Sequence, residues 1–161
     1  MTFQAKNIIV AVDVDPTADR SLADRLVDDA VAVAQVHGGA LTLLFVAAPV
    51  IAPLPPIDLS GGTAYRAMLD VVEARNVASG RMLKELAQRA TTAGVSTRQL
   101  IATRAGSVPQ VIVEMAGTEK ADLILITTHA RRGLSRFLLG SVAERVAHLS
   151  RIPVLLLPPA P

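Results

Sequence analysis

Asn7-Ile8-Ile9-Val10-Ala11-Val12-Asp13 decides how this chain is read. Its apolar run has no polar alternation, which describes a strand buried on both faces. Two-sided burial belongs to a parallel sheet covered by helices. Leu41-Thr42-Leu43-Leu44-Phe45-Val46 and Asp122-Leu123-Ile124-Leu125-Ile126-Thr127 repeat the pattern, and Ile152-Pro153-Val154-Leu155-Leu156-Leu157 supplies a last apolar strand. Residues 95–102 alternate instead and read as an edge strand.

Helical patterns fall between these runs. Thr17 or Asp19 caps a helix to about His37 whose stripe is Leu22, Leu26, Ala30, Val33 and Ala34, and Gly38-Gly39 ends it. The longest pattern runs from Tyr65 to Thr92, with Leu69, Val72, Asn76, Leu83, Leu86 and Ala90 on one side and Gly94 as its stop. Gly106-Ser107-Val108-Pro109 opens a helix with proline near its first turn. Ser141–Ser150 forms the final helix. Strands alternating with helices predict an α/β fold, a five-stranded parallel open sheet with helices on both faces, in one domain over residues 1–161. A Pro-rich connection over 47–64, with Pro49, Pro53, Pro55, Pro56 and Ser60-Gly61-Gly62, is predicted to be a functional or mobile loop.

Composition narrows the function. With 161 residues the chain buries a full core without staples. There is no cysteine, which excludes disulfides, thiol nucleophiles, iron–sulfur clusters and Cys-containing zinc sites. Aromatics are 2% (Phe3, Phe45, Tyr65 and Phe137), so base-stacking platforms for single-stranded nucleic acid are almost absent and no nucleic-acid partner is expected. Mean hydropathy is +0.44, too apolar for disorder. The start of the chain does not read as a signal peptide. Ala30–Ile57 carries no charge, but Gly38-Gly39 and the prolines break it, so no membrane span is expected and the reading is a cytoplasmic protein. Net charge is only +2, unevenly spread. Residues 131–161 carry Arg131, Arg132, Arg136, Arg145 and Arg151 against Glu144 alone. Cations clustered near one loop suit a small anion better than a long phosphate backbone.

Ligands of open parallel sheets sit beyond the carboxyl ends of the strands, where strand order reverses. That directs attention to Asp13, Val46 and the segment after Thr127, namely Thr128-His129-Ala130-Arg131-Arg132-Gly133-Leu134-Ser135-Arg136-Phe137-Leu138-Leu139-Gly140-Ser141-Val142. A buried strand empties into a loop with two arginines, and Gly140-Ser141 then opens a helix whose N-terminal amides can hold an anion. The residues fit a phosphate cradle and, equally, a capped helix beside a solvated basic loop. His129 lacks a nearby base or acid, Gly133 to Gly140 with no following lysine is not a P-loop, and neither a His-x-x-x-His pair nor a Gly-x-Ser-x-Gly elbow occurs.

The run Gly-Leu-x-Arg-x-Leu-Leu-Gly-Ser-Val-Ala-Glu over 133–144 resembles the C-terminal signature of the universal stress protein family. Ile8 to Asp13, Leu43-Leu44-Phe45-Val46, Gly106-Ser107-Val108-Pro109 and Ile152-Pro153-Val154-Leu155 resemble that family's first strand, second strand, Gly-x-Pro turn and closing strand. The resemblance implies an adenine-nucleotide-binding protein, with ATP held in a stress or signalling role by binding rather than turnover. Any Mg²⁺ would be held mainly by phosphates. The family's Gly-x2-Gly-x9-Gly-(Ser/Thr) motif falls on Thr127, Ala130 and Gly140-Ser141, so two of its three glycines are replaced. By the same resemblance Gly140, Ser141 and Val142 hold phosphates, Arg131 or Arg132 offers charge, Asp13 lies near the ribose or adenine, Ala11 borders the base, and Val46 offers backbone groups to adenine. Two alternatives stand beside this: a motif-degenerate dimeric interaction protein of the family, and a slow ATP hydrolase. The family also implies a homodimer through the apolar strand 152–157, where a bare edge invites pairing.

Overall fold

The computed structural model describes residues 3–14, 16, 20–47, 62–103, 106–128 and 140–158, the backbone alone at 62–65. Five strands, β1 (Asn7–Ala11), β2 (Ala40–Val46), β3 (Thr97–Ala102), β4 (Leu123–Thr127) and β5 (Val154–Leu157), alternate with α1 (Arg20–His37), α2 (Gly62–Thr92), α3 (Val108–Thr118) and α4 (Ser141–Leu149). All neighbouring strands pair in parallel, in the order β3-β2-β1-β4-β5. The expected five-stranded parallel α/β sheet is the observed one, with β1, β2 and β4 central and β3 and β5 at the edges.

Strand alternation builds two apolar layers. Ile8, Val10, Leu41, Leu43, Leu123 and Leu125 face α1 and α2. Ile9, Ala11, Leu44, Ile124 and Ile126 face α3 and α4. Every residue of β4 is buried, as its uninterrupted apolar sequence requires. The carboxylate of Asp122, one residue before β4, accepts the peptide N–H groups of Lys6 and Asn7 at 2.9 and 2.8 Å, tying β1 to β4 where they begin. Arg89 of α2 makes two bonds to Asp28 of α1, at 2.7 and 2.6 Å, and that hydrogen bonding, with the carboxylate's charge, raises the guanidinium pKa above its ordinary value.

Helix ends repeat one device. After α1, α2 and α3 a backbone amide bonds back to the carbonyl five residues earlier: Gly39 to Ala34 at 2.9 Å, Val95 to Ala90 at 3.2 Å, Ala121 to Ala116 at 2.9 Å. This motif needs a left-handed residue between them. Gly38 and Gly94 supply it at φ +58° and +85°, whereas α3 uses Lys120 at φ +52°. Boundary differences from the sequence reading have local causes. β3 starts at Thr97 rather than 95 because Val95 is spent on the α2 end. β5 starts at Val154 rather than 152 because the Ser150 hydroxyl bonds both the N–H and the carbonyl of Ile152 in a tight turn. α2 starts at Gly62 rather than Tyr65, so the connection expected over 47–64 is shorter at its end, and residues 48–61 lie outside the described ones. Thr17 and Asp19, the expected caps of α1, lie outside them too. Among the described residues no helix is long and apolar enough to cross a membrane.

Candidate functional site

The sheet order reverses direction between β1 and β4: from β1 the chain moves to β2 and β3, then crosses back to β4 and β5. At the carboxyl ends of those strands lies a cleft of about 200 Å³. Ala11, Asp13, Val46, Thr127 and Val142 all line it, so five of the ten residues singled out from the sequence meet in one place. Gly140 and Ser141 adjoin it through Val142. Ala130, Arg131 and Arg132, with His129, lie outside the described residues.

Each wall follows from the strand pattern. Ala11 closes β1 with its methyl on the α3/α4 side, buried to 8% exposure, and no larger side chain fills that corner. Leu44 and Ile126 flank it on the neighbouring strands. Val108 and Ile112 of α3 form the opposite wall. Sequence reasoning missed these two as site residues, although the signal was present: Gly106-Ser107-Val108-Pro109 starts a helix after β3, and a helix after a parallel strand starts at the sheet's carboxyl edge. The start is held by Gln110, whose Oε1 accepts the Ser107 hydroxyl at 2.8 Å and the Ser107 N–H at 3.3 Å.

Polar groups reach the cleft from three directions. The Val12 N–H donates to the Leu44 carbonyl at 2.9 Å, and the Ala47 N–H to the Ala102 carbonyl at 2.9 Å. Peptide direction alternates along a strand, so Leu44 faces β1, Phe45 faces β3, and Val46 faces β1's side again. Strand pairing with β1 stops at Ala11↔Leu44. The Val46 N–H and C=O therefore point to the gap beyond β1, a donor and an acceptor side by side. Asp13 is exposed at the rim and is the one ionisable group among the described lining residues. On the third side α4 begins at Gly140, whose extended backbone (φ −58°, ψ 141°) leaves no side-chain cap on the first turn. The Gly140 carbonyl accepts the Glu144 N–H at 2.9 Å, while the amides of Ser141, Val142 and Ala143 have no intrahelical partner by helix geometry.

Thr127 occupies the place of the first motif glycine, and its parity decides what its side chain does. Leu123 and Leu125 face α1 and α2, and Ile124 and Ile126 face α3 and α4. Thr127 thus turns its side chain to the α1 side, away from the wall formed by Ala11, Ile112 and Val142. Its β5 partner in register, Leu157, packs on that same α1/α2 layer. Among the described residues no group of three or more His, Asp or Glu side chains is placed to hold a metal ion.

Comparison with known proteins follows the same outline. Residues 4–158 match the model of the Universal stress protein family. A universal stress protein of Methanocaldococcus jannaschii is 57% identical over 44 residues, which is 27% of this chain and 26% of that protein, so the match spans about a quarter of the relative's length. Among solved structures, universal stress protein UspA from Lactobacillus plantarum superposes with a TM-score of 0.73 at 21% identity, covering 96% of this chain and 98% of that one. The universal stress protein from Archaeoglobus fulgidus in complex with dAMP gives 0.63 at 20% identity over 94% and 96% of the two chains. A universal stress protein in complex with cAMP gives 0.60 at 22% identity over 96% and 97%. At these identities the structural likeness establishes the fold.

Proposed function

The chain belongs to the universal stress protein family, and on that premise we propose that its cleft binds an adenine nucleotide and that the protein works through this binding rather than through turnover. The observation that carries the proposal is the meeting of Ala11, Asp13, Val46, Thr127 and Val142 in one cleft beside the start of α4. An apolar slot between Ala11, Ile112 and Ile126 suits a flat base. The Val46 N–H and C=O match the acceptor N1 and donor N6 of adenine, and present the wrong pattern to guanine, whose corresponding edge is reversed. Asp13 accepts hydrogen bonds from ribose hydroxyls. The α4 amides offer positive ends of peptide dipoles to phosphate oxygens. Two of the structural relatives carry adenine nucleotides, dAMP and cAMP, which fits the same assignment. ATP is the ligand we propose first, because Arg131 and Arg132 follow β4 by a few residues and add charge for a longer phosphate chain. Mg²⁺ would be held by phosphate oxygens and water, with Asp13 the only nearby carboxylate among the described lining residues. Hydrolysis, where it occurs, is slow, since the sequence carries no P-loop lysine.

The test is titration calorimetry of ATP with Mg²⁺ into nucleotide-free protein, beside an Arg131→Ala/Arg132→Ala variant. Saturable binding weakened in the variant is the expected result. No heat in folded, empty protein overturns the proposal and leaves the motif-degenerate interaction protein as the reading.

We also propose a homodimer through the β5 edge. Val154–Leu157 ends the sheet with Leu155 37% exposed, an apolar strand with one unpaired side. Leu155→Lys is expected to give monomers by light scattering, and a dimer that survives this change refutes the assignment.

A further inference from the structure

The apolar lining of the cleft divides by depth. Ala11, Leu44, Ile112 and Ile126 form its floor and are 8%, 1%, 3% and 5% exposed. Water is already excluded from them, so a ligand laid on the floor gains contact and shape but removes almost no further apolar surface from water. Val108 differs. It lines the same cleft at 38% exposure, more than any other apolar residue of the lining. It stands at the first position of α3, four residues before Ile112 and on the same side of the helix, about 6 Å nearer the mouth. An exposed valine on a convex surface needs no explanation, but this one is the upper half of a concave wall whose lower half is core. The wall is also stiff. Pro109, buried, follows in the first turn and fixes the backbone there, and a β-branched side chain in a helix keeps essentially one rotamer.

We propose that Val108 is a specificity-determining residue of the cleft: the base of the bound nucleotide lies against the first turn of α3 and covers this side chain, which selects whole nucleotides over sugar phosphates and polyphosphates of the same charge. The inference rests on the adenine-nucleotide reading above and adds where the apolar part of the binding comes from. Polar functions are placed on the other sides of the slot, with the Val46 peptide at the end of β2, Asp13 at the rim and the free amides at the start of α4. A flat base whose edge is held by the Val46 peptide still has two faces to cover, and Val108 is the large exposed apolar surface in the lining. Ribose and phosphate have no apolar face and gain nothing from an exposed valine, whereas a base does. Hydrophobic affinity follows the area newly removed from water, so it is set at Val108 rather than at the buried floor. Because the wall is rigid before the ligand arrives, little ordering cost offsets that gain.

The experiment measures two ligands on the same full-length proteins: ATP with Mg²⁺ by titration calorimetry, and inorganic tripolyphosphate with Mg²⁺ by its displacement of ATP. Val108→Ala is expected to weaken ATP binding about threefold, because part of one side chain's burial is lost. Val108→Thr is expected to weaken it about tenfold, because the base then covers a hydroxyl that has no partner. Tripolyphosphate, which has no base, is expected to keep its affinity within about twofold in both variants, and the unfolding temperature of the nucleotide-free protein to stay that of the wild type. ATP affinity that Val108→Thr leaves unchanged overturns the inference alone. So does an equal loss for ATP and tripolyphosphate, since the substitution would then have displaced the helix start instead of a contact to the base. A wild-type protein that binds no ATP overturns the adenine-nucleotide reading and this inference with it, so the wild-type titration tells the two failures apart.

Discussion

Restoring the family's glycine at position 127 separates a motif-based argument from a geometric one. Motif logic says that Thr127 weakens nucleotide binding and that Thr127→Gly repairs it. Geometry says otherwise: strand alternation turns this side chain to the α1 layer, where it is 9% exposed beside the row of Leu123 and Leu125. Removing it costs the burial of a methyl group, about 0.8 kcal/mol, and adds the conformational freedom of glycine within a strand, roughly 0.5–1 kcal/mol. A small residual cavity brings the total to about 1.5–2 kcal/mol. For a chain of this size that lowers the unfolding midpoint by roughly 3–8 °C. The affinity for ATP is expected to stay within about threefold, because no atom that faces the nucleotide is deleted. Calorimetric titration and thermal unfolding of the same two proteins read both quantities. A Thr127→Gly protein that keeps its stability and binds ATP tenfold more tightly would refute the parity argument and place the threonine side chain in the cleft.

Other expectations follow from single features. Lys120 holds a left-handed conformation that glycine adopts without strain, so Lys120→Gly should raise stability by about 0.5–1 kcal/mol in urea unfolding, the relief exceeding the entropy that glycine adds to the unfolded chain. The Ser79 hydroxyl is buried with no hydrogen-bond partner among the described residues. Ser79→Ala should therefore stabilise by about 1 kcal/mol, and a loss of stability would mean that the hydroxyl is satisfied. Adjacent glycines should rank against intuition. Gly38 has the positive φ, but a Cβ there would meet only the end of the Lys6 side chain at 3.4 Å, whereas a Cβ on Gly39 would overlap the Ala5 carbonyl oxygen. Gly39→Ala should cost about 3 kcal/mol by displacing the start of β1, and Gly38→Ala about 1 kcal/mol; the reverse order would place the strain in φ rather than in contact.

Runs such as Ile8–Val12 and Leu123–Ile126 carried the fold because a strand buried on both faces leaves no polar alternation to confuse it with an exposed one. The residues that meet at the cleft were legible for two reasons. Asp13, Val46 and Thr127 end strands or follow them closely, and the carboxyl ends of parallel strands converge wherever the order reverses; Ala11 was placed by the family resemblance, and Val142 entered through the helix that opens at Gly140. Val108 and Ile112 were not read as site residues because they look like any apolar positions on a helix. What places them at the cleft is the start of α3 at the sheet's carboxyl edge, which Gly106-Ser107-Val108-Pro109 signals and a pattern of hydrophobicity alone does not. The side to which Thr127 points was open to counting, since it sits two residues from Leu125 and one from Ile126. The count could be used only once the two helical layers had been assigned to opposite faces.

Helical periodicity reports which side of a helix is apolar and says nothing about what covers it. From Leu69 to Ala90 the spacing of α2 is unbroken, so the sequence reads as one buried stripe. A strand rises about twice as far per residue as a helix, which means the sheet's edge falls near Gly80 whatever the stripe does. The mismatch between those two lengths leaves Leu69, Val72 and Asn76 standing past the core with the pattern of residues inside it. Selection for a longer core-facing stripe has no effect on the core where there is no core to face. A three-four spacing that continues there reports the apolar side of the helix and not the reach of the core, which is why the sequence reads as one buried stripe where the structure leaves half of it exposed.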